Sequence, residues 1–83
     1  MVIPFSDLFD SQDSAHFVAR ETIRIGGGLI QKGSIIPKQD PSALGIPFEQ
    51  LSSYKFDVQI EDSVTKEDDE EETVSIYTIT RLI

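Results

Sequence analysis

Two segments near the C-terminus carry the clearest strand patterns in this chain. Residues 54–60 place Phe56, Val58 and Ile60 on one side and polar residues on the other. Residues 73–83 are β-branched or aromatic at nearly every position. Alternation with period two is typical of a half-buried β-strand, and an unbroken β-prone run is typical of a central strand that is covered on both faces. We therefore expect residues 54–83 to form a hairpin whose second strand is central in a sheet.

A second hairpin is predicted over residues 17–36. Apolar residues share one parity from 17 to 25, interrupted only by Glu21. Three consecutive glycines at 26–28 can supply the positive φ angles of a tight reversal. A strand-like segment follows them, so they do not match a phosphate-binding loop, which opens a helix. Gly33 predicts a break or a bulge in the returning strand.

The remaining segments contribute little regular structure. We interpret residues 1–16 as an N-terminal arm, in which Ser6 can cap a short helical turn. Residues 37–53 hold three of the four prolines and form a connector. Four apolar residues of the connector are expected to pack under the sheet: Leu44, Ile46, Phe48 and Leu51. With 83 residues the chain has room for one domain. We predict an all-β fold, a small barrel or sandwich of about four to six strands, with an arm at 1–16 that contains at most a short helix and a single β domain at 17–83.

Most of the negative charge lies in one segment. Residues 61–72 hold eight acids and Lys66, a net charge of −7, whereas the whole chain has a net charge of −8. Six consecutive acids repel one another and cannot be buried, so we predict an exposed acidic loop over 61–72. The loop is then a solvated tip, a docking surface for a basic partner, or at most a weak divalent-cation site. No basic cluster compensates for it, which argues against direct binding to nucleic acid or to an anionic membrane.

The sequence contains no pattern that indicates catalysis. It has no cysteine and one histidine, His16, which we interpret as a boundary residue because nothing in the sequence gives it a partner. Asp7, Asp10 and Asp13 are spaced to share a helical face, but acids there are also ordinary helix caps. No stretch approaches the length of a membrane span. We expect no enzymatic activity, no cofactor and no metal site.

Two stretches resemble the virion joining proteins of tailed phages. The opening Phe5-Ser-Asp-Leu-Phe-Asp10, with Ala15 and then Arg20-Glu-Thr-Ile23, is similar to the start of lambda-type head–tail joining (head-completion) proteins. The closing Val74-Ser-Ile-Tyr-Thr-Ile-Thr-Arg-Leu-Ile83 resembles the last strand of small head-closure and tail-attachment proteins. The resemblance implies a small β core that assembles as a ring between portal and tail. It also implies that mobile arms and loops bind the neighbours.

These observations predict a non-enzymatic structural or adaptor protein of a virion, present in the host cytoplasm before assembly. The expected partners are portal-side or tail-side proteins and, in a ring, further copies of the chain. The expected contact residues are Val2, Ile3, Phe5, Leu8 and Phe9 in the arm, and Glu67, Asp68, Asp69, Glu70, Glu71 and Glu72 in the acidic loop.

Other interpretations stay open. Phe5, Leu8 and Phe9 could instead cap the core, because a domain this small needs every large apolar side chain. The protein could also be an acidic inhibitor that mimics nucleic acid and blocks a basic host protein, namely a nuclease, polymerase or defence complex. A third interpretation is a regulatory or binding module of a cellular complex.

Overall fold

The structure is a computed structural model that describes residues 1–67 and 70–83, with the backbone alone described for residues 65–67 and 70. The all-β prediction is confirmed. The described residues form eight strands rather than four to six, because several strands are only three or four residues long. In chain order the elements are β1 Val2–Pro4, a 3₁₀ turn Phe5–Asp7, β2 Phe9–Ser11, β3 His16–Ala19, β4 Thr22–Ile25, β5 Gly28–Ile30, β6 Ile35–Pro37, α1 Phe48–Leu51, β7 Lys55–Glu67 and β8 Glu70–Leu82.

The strands form two sheets. The larger has the order β1-β7-β8-β4-β5, and the smaller has the order β2-β3-β6. β7 and β8 pair as the predicted antiparallel hairpin, and β8 has the predicted central position. β4 lies parallel to β8, with Thr22 opposite Ile76, whereas the other described pairs are antiparallel. A β-bulge separates Asp57 from Val58 along the β7–β8 register.

The predicted hairpin over residues 17–36 is present but is divided between the sheets. Its tip, β4 and β5, turns at Gly26 and Gly27, whose φ angles are 58° and 101°. Its base, β3 and β6, belongs to the smaller sheet. The chain changes sheet at the predicted break, where Gly33 has a φ of 86° and its N–H donates to the Ala19 carbonyl over 2.8 Å.

The core is built from the apolar parities that the sequence displays. The residues of the first hairpin that share a parity, Phe17, Ala19, Ile23 and Ile25, are all buried. A cluster of phenylalanines joins the segments, with the Phe5 ring centroid 4.7 Å from that of Phe9, 5.0 Å from that of Phe17 and 6.0 Å from that of Phe56. Aromatic pairs at such distances contribute beyond their buried area.

The N-terminal arm belongs to the body of the domain. β1 pairs with β7 and β2 pairs with β3, so the boundary predicted after residue 16 does not separate the arm from the sheets. Four of the arm residues predicted to bind partners lie in the core, each less than a tenth exposed: Ile3, Phe5, Leu8 and Phe9. Val2 is half exposed. This is the burial that the core-capping interpretation requires.

Two apolar side chains lie outside the core, contrary to expectation. Leu44 is exposed because it occupies a tight turn, closed by the hydrogen bond from the Gly45 N–H to the Ser42 carbonyl. Ile60 shares a parity with the buried Val58 but is 45% exposed, because the core ends beside Val58 while β7 continues. Among the described residues, no helix is long and apolar enough to cross a membrane.

Candidate protein-docking site

The hairpin of β7 and β8 extends well beyond the core. Each strand has 13 residues, whereas the other described strands have three or four. At about 3.3 Å per residue such a strand is roughly 43 Å long, comparable to the 41 Å longest dimension of the domain. We refer to its far part, residues 61–67 and 70–75, as the ribbon.

The predicted acidic loop is largely strand. Residues 61–67 and 70–72 belong to β7 and β8, where Lys66 lies opposite Glu71 and Glu67 lies opposite Glu70. The β-prone residues 63–65 favour pairing, which offsets the repulsion between like charges at the end of the ribbon. Of the predicted contact residues in this segment, Glu71 and Glu72 are exposed. Asp68 and Asp69 lie outside the described residues.

The backbone hydrogen bonds of β7 alternate between its two neighbours. The Val58 N–H donates to the Met1 carbonyl over 2.8 Å, and the Val58 carbonyl accepts from the Met1 ammonium over 3.2 Å. Alternate residues of an antiparallel strand bond to opposite sides. Odd-numbered residues from Gln59 onward therefore bond to β8, and even-numbered residues from Ile60 onward face the other edge. β1 pairs with β7 no further than the Met1–Val58 hydrogen bonds. In the described part of the chain no strand therefore covers this edge of β7 from Ile60 onward.

The same alternation defines the free edge of β8. The registered pair Ser63 and Val74 is one that exchanges hydrogen bonds, so from Glu70 to Thr78 the even-numbered residues of β8 bond to β7 and the odd-numbered residues face away. β4 covers this outer side only from Ile76 onward. Thr73 and Ser75 consequently direct their N–H and C=O groups to a side on which no described strand lies.

The sheet is open beside β8 because the chain of β4 comes from the other sheet. The Arg20 N–H donates to the Leu8 carbonyl over 2.8 Å, and the Arg20 guanidinium donates to the Ser6 carbonyl over 2.9 Å. These bonds hold Arg20 against the N-terminal segment, so β4 begins only at Thr22. Strand pairing on this side of β8 therefore stops where the chain bends.

A groove with a volume of about 710 Å³ lies along the free edge of β8, and we call it the β8 groove. Its apolar residues are Leu29, Val74 and Ile76. Its charged residues are Glu21, Lys32 and Glu72, and its remaining lining residues are Thr22, Gln31, Ser63, Thr73 and Ser75. The groove thus combines unpaired backbone groups, an apolar patch and carboxylates.

The titratable residues of the N-terminal segment do not gather into a site. Asp7 lies in the 3₁₀ turn and Asp10 in β2, so the acids do not share the helical face that their spacing allowed. The N–H of Ala15 and, to a lesser extent, His16 hold the pKa of the Asp13 carboxyl below its usual range. The His16 Nδ1 lies 3.0 Å from the Asp13 carboxylate at an exposed position. Among the described residues, no three His, Asp or Glu side chains are close enough to hold a metal ion.

The β8 groove is not predicted by the sequence patterns described above. The one available signal was Glu21, an acid on the apolar parity of the first hairpin, which marks the bend beside which the groove opens. The parallel neighbour of β8 could not be recognised, because it depends on residues more than 50 positions apart. Comparison with known proteins finds no family model, no curated protein and no solved structure that matches this chain.

Proposed function

We propose that the protein is a non-enzymatic adaptor that acts through protein–protein contacts and that it joins head to tail in a tailed-phage virion. The observation that carries the adaptor role is the ribbon, whose two edges have no neighbouring strand in the described part of the chain. Unpaired strand edges are templates for pairing with another chain, and most proteins cover or shorten them. The joining role in particular rests on the sequence resemblance.

The ribbon replaces the arm as the proposed contact element. Ile3, Phe5, Leu8 and Phe9 hold the two sheets together and would expose the core if they left it. The ribbon is longer than the core requires, since β7 is buried at Phe56 and Val58 and is exposed from Gln59 to Val64. A rigid domain with a projecting ribbon is suited to bridging two larger bodies.

The acidic residues are consistent with an adaptor that must remain free until it meets its partner. Charged side chains on an edge strand oppose unwanted pairing between identical chains. Each ribbon carries most of the net charge of its chain, so two copies repel each other along these edges. A partner with the opposite charge overcomes the barrier and is attracted over a distance of about a Debye length, ~8 Å at physiological salt.

Deletion of the coding region from the phage genome that carries it tests the joining role. We expect the deletion to yield DNA-filled heads and separate tails in electron micrographs, and we expect the purified chain to restore joined, infectious particles. Mass spectrometry of wild-type virions should detect the chain. Joined and infectious particles from the deletion strain would refute the joining role.

The acidic inhibitor is a second candidate, and a specific observation favours it. Glu61, Asp62, Glu71 and Glu72 are exposed on a regular ribbon, which could present carboxylates to sites meant for phosphates. Mimicry depends on charge, so replacing the acids of residues 67–72 with glutamine should abolish inhibition of a nuclease or polymerase. A backbone change at the edge, such as Thr73→Pro, should leave that inhibition intact but weaken an adaptor contact.

A further inference from the structure

We propose that the β8 groove binds an extended basic segment of a partner protein, which adds to the larger sheet as a strand beside residues 71–75. The inference rests on the proposed adaptor function and names the chemistry of the partner at that site. The added strand would lie in line with β4, which begins beside Ile76. It would therefore continue the strand pairing along the edge of β8 that β4 covers only from Ile76 onward.

The backbone of β8 supplies the bonds for this strand. The N–H and C=O groups of Glu71, Thr73 and Ser75 face the groove. This follows because the Met1–Val58 hydrogen bonds fix which residues of β7 bond to β8, and the register then fixes which residues of β8 face away from β7. A guest of about six residues spans roughly 20 Å, which matches the uncovered length of β8 from residue 70 to residue 75. Main-chain hydrogen bonds give affinity in strand addition, and pockets for alternate side chains give specificity.

The side chains of the groove select alternating residues. Val74 and Ile76 lie on the same face of β8, and Leu29 approaches from β5. Because side chains alternate across a strand, every second residue of the guest would contact this apolar patch. The guest is therefore expected to carry valine, isoleucine or leucine at these positions.

The charge beside the groove determines the remaining residues of the guest. Glu21 and Glu72 line the groove, and Glu61 lies opposite Ile76 on the adjacent strand. Lys32 is the one basic residue in the described lining. A guest that runs toward residue 70 enters the segment with eight acids and one lysine, so lysine and arginine are favoured. A second copy of the chain would bring residues 61–72, with their net charge of −7, to the same place and is disfavoured.

The test uses the full chain and a synthetic peptide of about six residues, in which lysine alternates with valine. Calorimetry measures the affinity, and nuclear magnetic resonance measures amide exchange. We expect binding that slows exchange at Thr73 and Ser75. The same peptide with glutamate in place of lysine should not bind measurably.

Two proline variants distinguish the edges of the ribbon. Thr73→Pro removes an N–H that faces the groove, and Val64→Pro, directly opposite Thr73, removes an N–H that faces the other edge. Proline is tolerated where the N–H points to solvent, so circular dichroism should show that both variants fold. Thr73→Pro is expected to weaken peptide binding by about tenfold, because a bond is lost and the ring obstructs the guest. Val64→Pro is expected to change it by less than about twofold, since the other edge makes no bond to the guest.

Val74→Lys provides a second variant that does not alter the backbone. It places a positive charge in the groove and should weaken the peptide by at least about tenfold through repulsion and loss of the apolar contact. Equal losses from both proline variants, slowed exchange on the β7 edge, or binding without slowed exchange at Thr73 and Ser75 would each overturn strand addition. If Thr73→Pro still restores joined particles to the deletion strain, the groove proposal fails and the joining role stands. If the deletion strain makes joined particles while the peptide binds as expected, the joining role fails and the groove proposal stands.

Discussion

Truncation of Leu8 tests whether the N-terminal segment is a structural part of the domain. Leu8 follows the 3₁₀ turn and is completely buried, and its carbonyl accepts the bond from Arg20 that positions the bend before β4. Leu8→Ala removes side-chain atoms from the packed core while leaving this backbone bond intact. Buried leucine-to-alanine changes cost about 2–5 kcal/mol, and a site with no exposure belongs in the upper part of that range, about 3–5 kcal/mol.

That loss is large compared with the stability of so small a domain. At roughly 0.05–0.15 kcal/mol per residue, 83 residues give a free energy of unfolding of about 4–12 kcal/mol. In a domain of this size each kcal/mol lowers the melting temperature by about 4–8 °C, so 3 kcal/mol corresponds to about 12–24 °C. If the free energy of unfolding of the parent protein lies at the lower end of its range, the variant is therefore expected to be partly unfolded near 37 °C.

Urea unfolding followed by circular dichroism measures the change, with Leu29→Ala as the matched control. Leu29 is the same residue type but is 54% exposed on an edge strand, so its truncation should cost less than about 1 kcal/mol. If Leu8→Ala costs no more than Leu29→Ala, the N-terminal segment does not stabilise the domain. That result would refute the burial argument and restore the hypothesis that the arm is a mobile element for partner binding.

Three further predictions follow from the geometry. Gly26→Ala should destabilise the fold by at least about 1–2 kcal/mol in urea unfolding, because Gly26 has a φ of 58° and a Cβ there would lie 3.0 Å from Leu44 Cδ2; an unchanged midpoint would contradict this turn geometry. The pKa of the Asp13 carboxyl, measured by nuclear magnetic resonance, should lie below its usual value of 3.8. Since its pKa is depressed in the folded state, Asp13 stabilises the fold above its unfolded-state pKa and loses this effect as the pH falls through the folded-state pKa, so Asp13→Asn should destabilise near neutral pH but not in strong acid. Raising the salt concentration from 0.01 to 0.15 M shortens the screening length from about 30 to 8 Å, which weakens the repulsion between the acids and should raise the melting temperature. Replacing the acids of residues 67–72 with glutamine should remove this dependence on salt. A dependence that persists in that variant would show that it originates elsewhere.

The fold explains how an unusually long hairpin can coexist with a small core. Phe56 and Val58 anchor β7 in the core, and the bulge beside Val58 lies where the hairpin begins to leave it. Beyond that point pairing depends on cross-strand contacts such as the bond from the Ser75 hydroxyl to the Asp62 carboxylate over 3.0 Å. Isolated two-stranded ribbons are marginally stable in water. A strand added in the β8 groove would give the ribbon a third strand and stabilise it.

The local structure of this protein could be predicted from the sequence because its signals are local. The alternation at Phe56 and Val58 predicted a half-buried strand, the glycines at 26 and 27 predicted a reversal, and Gly33 predicted a break. Each of these depends on backbone angles or side-chain parity over a few residues. The concentration of acids in 61–72 likewise predicted exposure.

What the tertiary structure decided is where those elements meet. The same apolar pattern allowed the N-terminal residues Phe5, Leu8 and Phe9 to be either a docking arm or part of the core, and only their packing with Phe17 and Phe56 resolves the choice. Residues 61–67 and 70–72 of the acidic segment are strand because the two sides of the hairpin pair in register, which charge alone does not reveal. The β8 groove exists because Arg20 is held by the N-terminal segment and β4 therefore starts late. Pairing between strands distant in sequence depends on the whole chain packing at once, and no short window of residues contains that information.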